Sequence, residues 1–198
     1  LNQFALKVKC NGGERECMKR ILKLYVSILL VLTLFPLSVF VFYKNDSDKF
    51  YVKNTDNNKT LKLSQKEYVL GALCCEMPPT FHKEALKAQA VAIFTNAVRE
   101  KELNQLTEIS IKNLKGYTDR EILKEKWGKN FSYYYDKMSE AVDEVLGKVI
   151  TYQNAPILAA YHSMSSGKTE SAENVWGEKV NYLTPVLSEG DTFAADYK

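Results

Sequence analysis

Histidine, cysteine and runs of basic residues are all scarce in this 198-residue chain, and each scarcity removes a class of function. The histidines are His82 and His162, and the four cysteines are Cys10, Cys17, Cys74 and Cys75. No CxxC occurs and no second cluster accompanies it, so a structural zinc site lacks its ligand set. The neighbours Cys74 and Cys75 are poor disulfide partners, because the small ring they would close is strained. Lysine and arginine number 27 against 24 acidic residues, a net charge of +3 with no basic stripe, which argues against nucleic acid as a partner. Gly167-Lys168-Thr169 lacks the glycine five positions earlier that a phosphate-binding loop needs; His162 stands there. No GxSxG elbow presents a nucleophilic serine, and proximity of His162 to Ser163, Ser165 and Ser166 does not make a triad. No internal repeat or low-complexity tract is visible.

One long apolar run is present. Leu24–Tyr43 carries no charge over 20 residues, and at about 1.5 Å per residue a helix of that length reaches about 30 Å, a hydrocarbon core. Lys19, Arg20 and Lys23 precede it and Asp46 and Asp48 come after it, so the positive-inside rule puts the N-terminus in the cytoplasm and exports the rest of the chain. A cleaved signal peptide would need a shorter core and a small-x-small site, whereas this run ends in Phe40, Phe42 and Tyr43. Met18-Lys19-Arg20 reads as the natural start of an exported protein, with residues 1–17 an upstream extension. Residues 44–60 are polar and read as a linker, leaving 61–198 as the exported domain.

Helix signals dominate the first part of that domain. Ser64-Gln65-Lys66-Glu67 is a capping box, and Pro78-Pro79 forbids the helix to continue, which places Glu76 at a helix end or on the turn after it. A second helix is expected over His82–Glu102, with Leu86, Ala90, Ile93 and Ala97 on its core face. Thr118-Asp119-Arg120-Glu121 is a second capping box before a short helix to Trp127. Ser132–Leu146 places Met138, Val142, Val145 and Leu146 on one face, with Gly147 at the helix C-terminus. KVITYQ and ILAAYHS then read as a hairpin turning at Asn154-Ala155-Pro156, followed by a polar loop over Ser163–Thr169 and a last helix, Ala172–Trp176. Helices followed by strands predict an α+β domain of helices packed on a hairpin-containing sheet, preceded by one membrane helix.

Among the carboxylates, Glu76 is set apart by its apolar neighbours Leu73, Cys74, Cys75, Met77 and Pro78, which would desolvate it and raise its pKa toward that of a general acid. The hydroxyls of the Ser163–Thr169 loop, the His162 imidazole and the Lys168 ammonium could hydrogen-bond a polar, partly anionic ligand.

Two blocks carry a family resemblance. Glu76-Met77-Pro78 followed by Glu84-Ala85-Leu86-Lys87-Ala88-Gln89-Ala90-Val91-Ala92, and then Tyr161-His162-Ser163 with Ser166-Gly167-Lys168-Thr169-Glu170-Ser171-Ala172-Glu173-Asn174-Val175-Trp176-Gly177, resemble the stage II sporulation protein D (SpoIID) family over roughly 60–191. The resemblance implies a peptidoglycan lytic transglycosylase of spore formers, cleaving MurNAc–GlcNAc bonds to 1,6-anhydro ends with Glu76 as the acid/base. Tyr161, His162, Ser163, Ser166, Lys168 and Thr169 are the implied substrate-binding residues. Neither metal nor cofactor is implied for this chain. The implied partners are stem-peptide-free glycan strands, a peptidoglycan amidase (SpoIIP-like) and a membrane scaffold (SpoIIM-like), between the mother-cell and forespore membranes during engulfment. The alternative is a non-catalytic peptidoglycan-binding protein that stimulates an amidase. Phe94 and Asn96 stand where the family carries arginine and tyrosine, and an arginine at 94 would bind substrate or orient the glutamate. Family members commonly run beyond Ser188-Glu189-Gly190-Asp191, so a fragment is also an expectation.

Overall fold

A computed structural model describes residues 14–193, which divide into two units at Asp48. The first thirteen residues of the extension expected over 1–17 lie outside the described part. In the first unit, α1 spans Glu14–Ser47 with Pro36 inside it. Its large apolar side chains are uncovered, with Leu24, Val31, Leu32 and Phe35 each 60% exposed or more. Its hydroxyls turn inward on the helix: Ser27 donates to the Leu24 carbonyl at 2.8 Å and Ser38 to that of Phe35 at 2.7 Å. Among the described residues no helix is long and apolar enough to cross a membrane. The side chains of Leu37 and Phe40–Tyr43, part of the apolar run, lie outside the described set.

The second unit begins inside the stretch expected to be a linker. Residues 49–60 are not a tether: β1 (Lys49–Asn54) and β2 (Lys59–Ser64) form an antiparallel hairpin. The period-2 rule explains it, since Phe50, Val52 and Asn54 turn inward and are buried while Tyr51 and Lys53 face out. The polar composition hid this alternation because the stretch contributes just two apolar side chains to the core. Asn58, at φ 55°, takes the left-handed turn position.

From Ser64 the chain enters α2 (Gln65–Glu76) through the expected capping box: Ser64 Oγ accepts from the Glu67 amide while the Glu67 carboxylate accepts from the Ser64 amide at 2.8 Å. Glu76 is the last residue of α2, and Met77 is already extended. His82 caps α3 (Lys83–Glu102), its Nδ1 accepting from the Glu84 amide. β3 (Thr107–Ile109) then returns parallel to β1, giving the strand order β2-β1-β3. The second capping box is displaced by one residue. Asp119, not Thr118, caps α4 (Arg120–Trp127), because the Thr118 side chain is buried and its amide bonds the Gly71 carbonyl. α5 (Phe131–Asp143) closes the helical layer, and Leu73, Leu86, Met138 and Val142 from α2, α3 and α5 meet in the centre with no exposed surface.

The expected hairpin is present but short. β4 (Thr151–Tyr152) and β5 (Ala155–Pro156) pair over two residues each. The turn falls on Gln153-Asn154, at φ 51° and 64°, one residue earlier than the proline indicated. Past Ile157 the backbone stops pairing with a strand and bonds side chains instead: Leu158 N–H donates to Tyr182 Oη, and Ala159 engages Asn96, both at 2.9 Å. α6 (Ala172–Trp176) is where it was expected, ending at Gly177 in the left-handed region (φ 79°). The α+β class holds for this unit.

Gly71 is the position where α2 tolerates no side chain. A Cβ there would stand 2.3 Å from the Tyr117 ring and 2.6 Å from the Thr118 carbonyl oxygen. Gly71→Ala is expected to destabilise the protein by about 1–3 kcal/mol through overpacking, although alanine is the better helix former. A denaturant midpoint equal to or above wild type would show that the segment can move aside.

Candidate functional site

Residues 85 positions apart in sequence meet at the end of α2. The Tyr161 phenol lies close enough to the Glu76 carboxylate to sense its charge. Burial, then the Glu76 charge, raise the Tyr161 pKa, while the nearby Gln89 amide lowers it. Gln89 approaches the phenol from α3, yet its buried Nε2 finds no hydrogen-bond partner. A buried donor left open at a site is costly unless something completes it, and a ligand oxygen could do so.

Tyr161 is brought to Glu76 by α3. Asn96 Nδ2 donates to the Ala159 carbonyl and Asn96 Oδ1 accepts from the Ala159 amide, both at 2.9 Å. Seven residues separate Gln89 from Asn96, so the two share one helix face. The neighbouring Thr95, fully buried, donates to the Val91 carbonyl at 2.7 Å and accepts from the Ile150 amide at 3.1 Å. Two adjacent polar residues of α3 thus hold both ends of the β4–β5 hairpin.

The turn after Glu76 is held from the other side. Lys137 of α5 donates to the carbonyls of Pro79 and Phe81 at 2.9 and 2.6 Å. Sequence reasoning missed Gln89, Thr95, Asn96 and Lys137. The signal for Thr95 and Asn96 was present: both residue types compete with the helix backbone and are disfavoured inside a helix without a use elsewhere.

One expectation is corrected. Glu76 is exposed, not tucked among its apolar neighbours, because Leu73 and Cys74 point into the core and away from it. Phe94 is buried, with its ring 5.9 Å from that of Phe50.

Beside Tyr161 opens a groove of about 400 Å³. Tyr161, His162 and Thr169 line it together with Trp176 and Tyr182. Ser163, Ser166 and Lys168 do not line it. Lys168 instead forms an isolated backbone bridge to Leu187, and the Thr169 hydroxyl accepts from the Val186 amide at 2.8 Å. The loop is closed by Asp191, which accepts from Ser165 Oγ at 2.5 Å and from the Ser165 amide at 2.8 Å. These bonds hold the Asp191 carboxyl below the usual carboxylate range. Among the described residues, no group of three or more metal-ligating side chains is assembled.

A family model described as SpoIID, stage II sporulation protein, matches residues 53–152. That stretch includes Glu76, Gln89 and Asn96, while Tyr161 lies beyond it. The stage II sporulation protein D of Bacillus subtilis (strain 168) is 37% identical over 154 residues, covering 74% of this chain and 45% of that protein. The Bacillus amyloliquefaciens protein of the same name is 35% identical over 153 residues, covering 74% and 44%. An amidase enhancer of Bacillus subtilis (strain 168) is 32% identical over 113 residues, covering 57% of this chain and 14% of that protein. The chain thus spans under half the length of the stage II sporulation proteins it matches.

Asn96→Leu removes both bonds to Ala159 and is expected to cost about 1–3 kcal/mol, with faster hydrogen exchange at the Ala159 amide; unchanged exchange there would mean the clamp carries nothing. The thiols beside Glu76 are expected to be inert at pH 8. Burial pushes Cys74 up to about 12 and Cys75 up to about 11, so thiolate appears well above the usual thiol range and not below it. Iodoacetamide labelling of either cysteine in the folded protein at the rate of a free thiol would contradict this.

Proposed function

This chain belongs to the SpoIID family of stage II sporulation proteins, and we propose that it is a membrane-anchored lytic transglycosylase that cuts peptidoglycan glycan strands with Glu76 as its acid/base. The observation that carries the reading is the approach to Glu76 of Tyr161, a residue that lines the groove.

On this reading the protonated Glu76 carboxyl gives its proton to the glycosidic oxygen as the bond from that oxygen to C1 of the muramic sugar breaks. The sugar's own 6-hydroxyl attacks C1 and surrenders its proton to the Glu76 carboxylate. The products are a free 4-hydroxyl and a 1,6-anhydro ring, the enzyme ends protonated as it began, and no water is consumed. Ordinary glycosidases need a second carboxylate as nucleophile or water base; an internal hydroxyl makes one sufficient. Tyr161 orients the carboxylate through one oxygen and leaves the other for the substrate. The exposure of Glu76 in the free protein fits an acid that is desolvated when the glycan covers it. His162 and Thr169 on the groove wall contact the sugar, while Ser163, Ser166 and Lys168 act from its outer edge.

The anchor is part of the proposal. Uncovered apolar side chains on α1, hydroxyls satisfied within the helix, and the basic residues Lys19, Arg20 and Lys23 support a segment that places residues 49–193 outside the cytoplasm. That position, between mother-cell and forespore membranes, would put the enzyme beside an amidase (SpoIIP-like) and a scaffold (SpoIIM-like). A second reading rests on the similarity to the amidase enhancer: a glycan-binding protein that stimulates a partner amidase without cutting strands itself.

The detergent-solubilised full chain, incubated with peptide-free glycan strands, is expected to release 1,6-anhydromuramic products detectable by mass spectrometry. Glu76→Gln is expected to lose at least about a hundredfold in rate, as removal of a general acid/base does, while still binding strands. Binding without product from wild type would favour the second reading.

A further inference from the structure

A second groove is walled by the chain on both sides of Glu76 in sequence. Cys75 and Met77, its two chain neighbours, both line this groove of about 210 Å³ with Pro78, Trp127 and Lys126. The walls are apolar except at one edge, where Lys126 is exposed. We propose that this groove is a second sugar subsite, in which Trp127 stacks against an N-acetylated sugar ring and Lys126 pairs with a free carboxylate carried by that ring. The proposal rests on the glycan-cleaving reading above and deepens it.

Geometry supports the assignment. An enzyme that cuts inside a polymer must hold rings on both sides of the broken bond, and the chain neighbours of Glu76, Cys75 and Met77, wall this groove. Trp127 is a rigid wall: Tyr134 meets its ring edge-on at 5.7 Å and Phe131 lies 6.3 Å from it. Phe131 is itself backed by the Arg120 guanidinium at 5.6 Å. Pro78 is fixed as well, because Lys137 fastens the turn that contains it. A preformed aromatic wall suits a sugar, whose C–H face stacks on a ring at small entropic cost. The charge at the edge is complementary to one ring of the strand. Muramic sugars freed of their stem peptides carry a lactyl carboxylate; the alternating glucosamines carry none. Burial raises the Cys75 thiol pKa first; the Glu76 charge raises it further and that of Lys126 lowers it.

The test compares two oligosaccharides of equal length on the detergent-solubilised full chain: peptide-free peptidoglycan strands and chito-oligosaccharide, which has the same N-acetylated backbone without carboxylates. Lys126→Gln is expected to bind the peptidoglycan strand about threefold to fivefold more weakly, the range of an exposed ion pair, and to bind the chito-oligosaccharide as wild type does. Lys124→Gln removes an equal charge from the same helix, where Lys124 pairs with Glu121, and is expected to change neither. Trp127→Ala is expected to weaken both ligands, with circular dichroism reporting its fold. The subsite is overturned if Lys126→Gln matches wild type on the peptidoglycan strand, or if it weakens both ligands equally. Should wild type bind neither sugar, the functional reading falls with it, a result distinct from selective failure of Lys126→Gln.

Discussion

Two hydrogen bonds between the Asn96 side chain and the backbone of Ala159 tie the halves of this domain together. The carboxylate belongs to the helical half and the groove to the half beyond the hairpin. Little regular structure joins the second half to the first, since β4 and β5 pair with each other and not with the three-stranded sheet. Orientation therefore falls to side chains of α3. Thr95 fixes the start of the hairpin and Asn96 the segment after it, so Tyr161 arrives at Glu76 through a short, doubly hydrogen-bonded path. An amide is suited to this work, because it offers one donor and one acceptor to a backbone that presents the same pair.

The carboxylate itself is placed by negative features. Pro78-Pro79 ends α2, Met77 goes extended, and Lys137 ties down the next turn. Glu76 is left at the helix terminus with its side chain in solvent and a phenol beside it. Its chain neighbours contribute differently: Cys74 is buried against Met138, with the two sulfurs 3.5 Å apart, and Cys75 walls a groove. Burial raises the pKa of both thiols, more for Cys74 than for the half-buried Cys75. The small size of a thiol lets α2 approach α5 closely, much as Gly71 lets it approach Tyr117.

Helix periodicity was legible because it depends on nearest-neighbour chemistry. Capping boxes, proline stops and apolar stripes each act within one or two turns, so α2, α3, α5 and α6 stand close to where the pattern puts them. The failures have a different origin. Residues 49–60 read as a tether because a strand on a sheet with one wet face shows half its side chains to solvent, and here two inward apolar residues, Phe50 and Val52, suffice. Thr118 lost the cap to Asp119 because the core claimed its side chain. Phe94 was judged by the residue it replaces, and its burial against Phe50 depends on β1, a strand unseen in the pattern.

Local chemistry in the sequence determined that Glu76 closes a helix, that alanine-rich α3 packs tightly, and that residues 24–43 form an uncharged apolar run, since each depends on residues within a few turns of one another. The tertiary structure alone decided that Tyr161 and Glu76 meet, that Asn96 and Lys137 hold them, and that Ser163, Ser166 and Lys168 stay off the groove wall. The first two of these relations cross separations of 56 to 85 residues, over which no periodicity carries information; packing of α3 and α5 against α2 sets them.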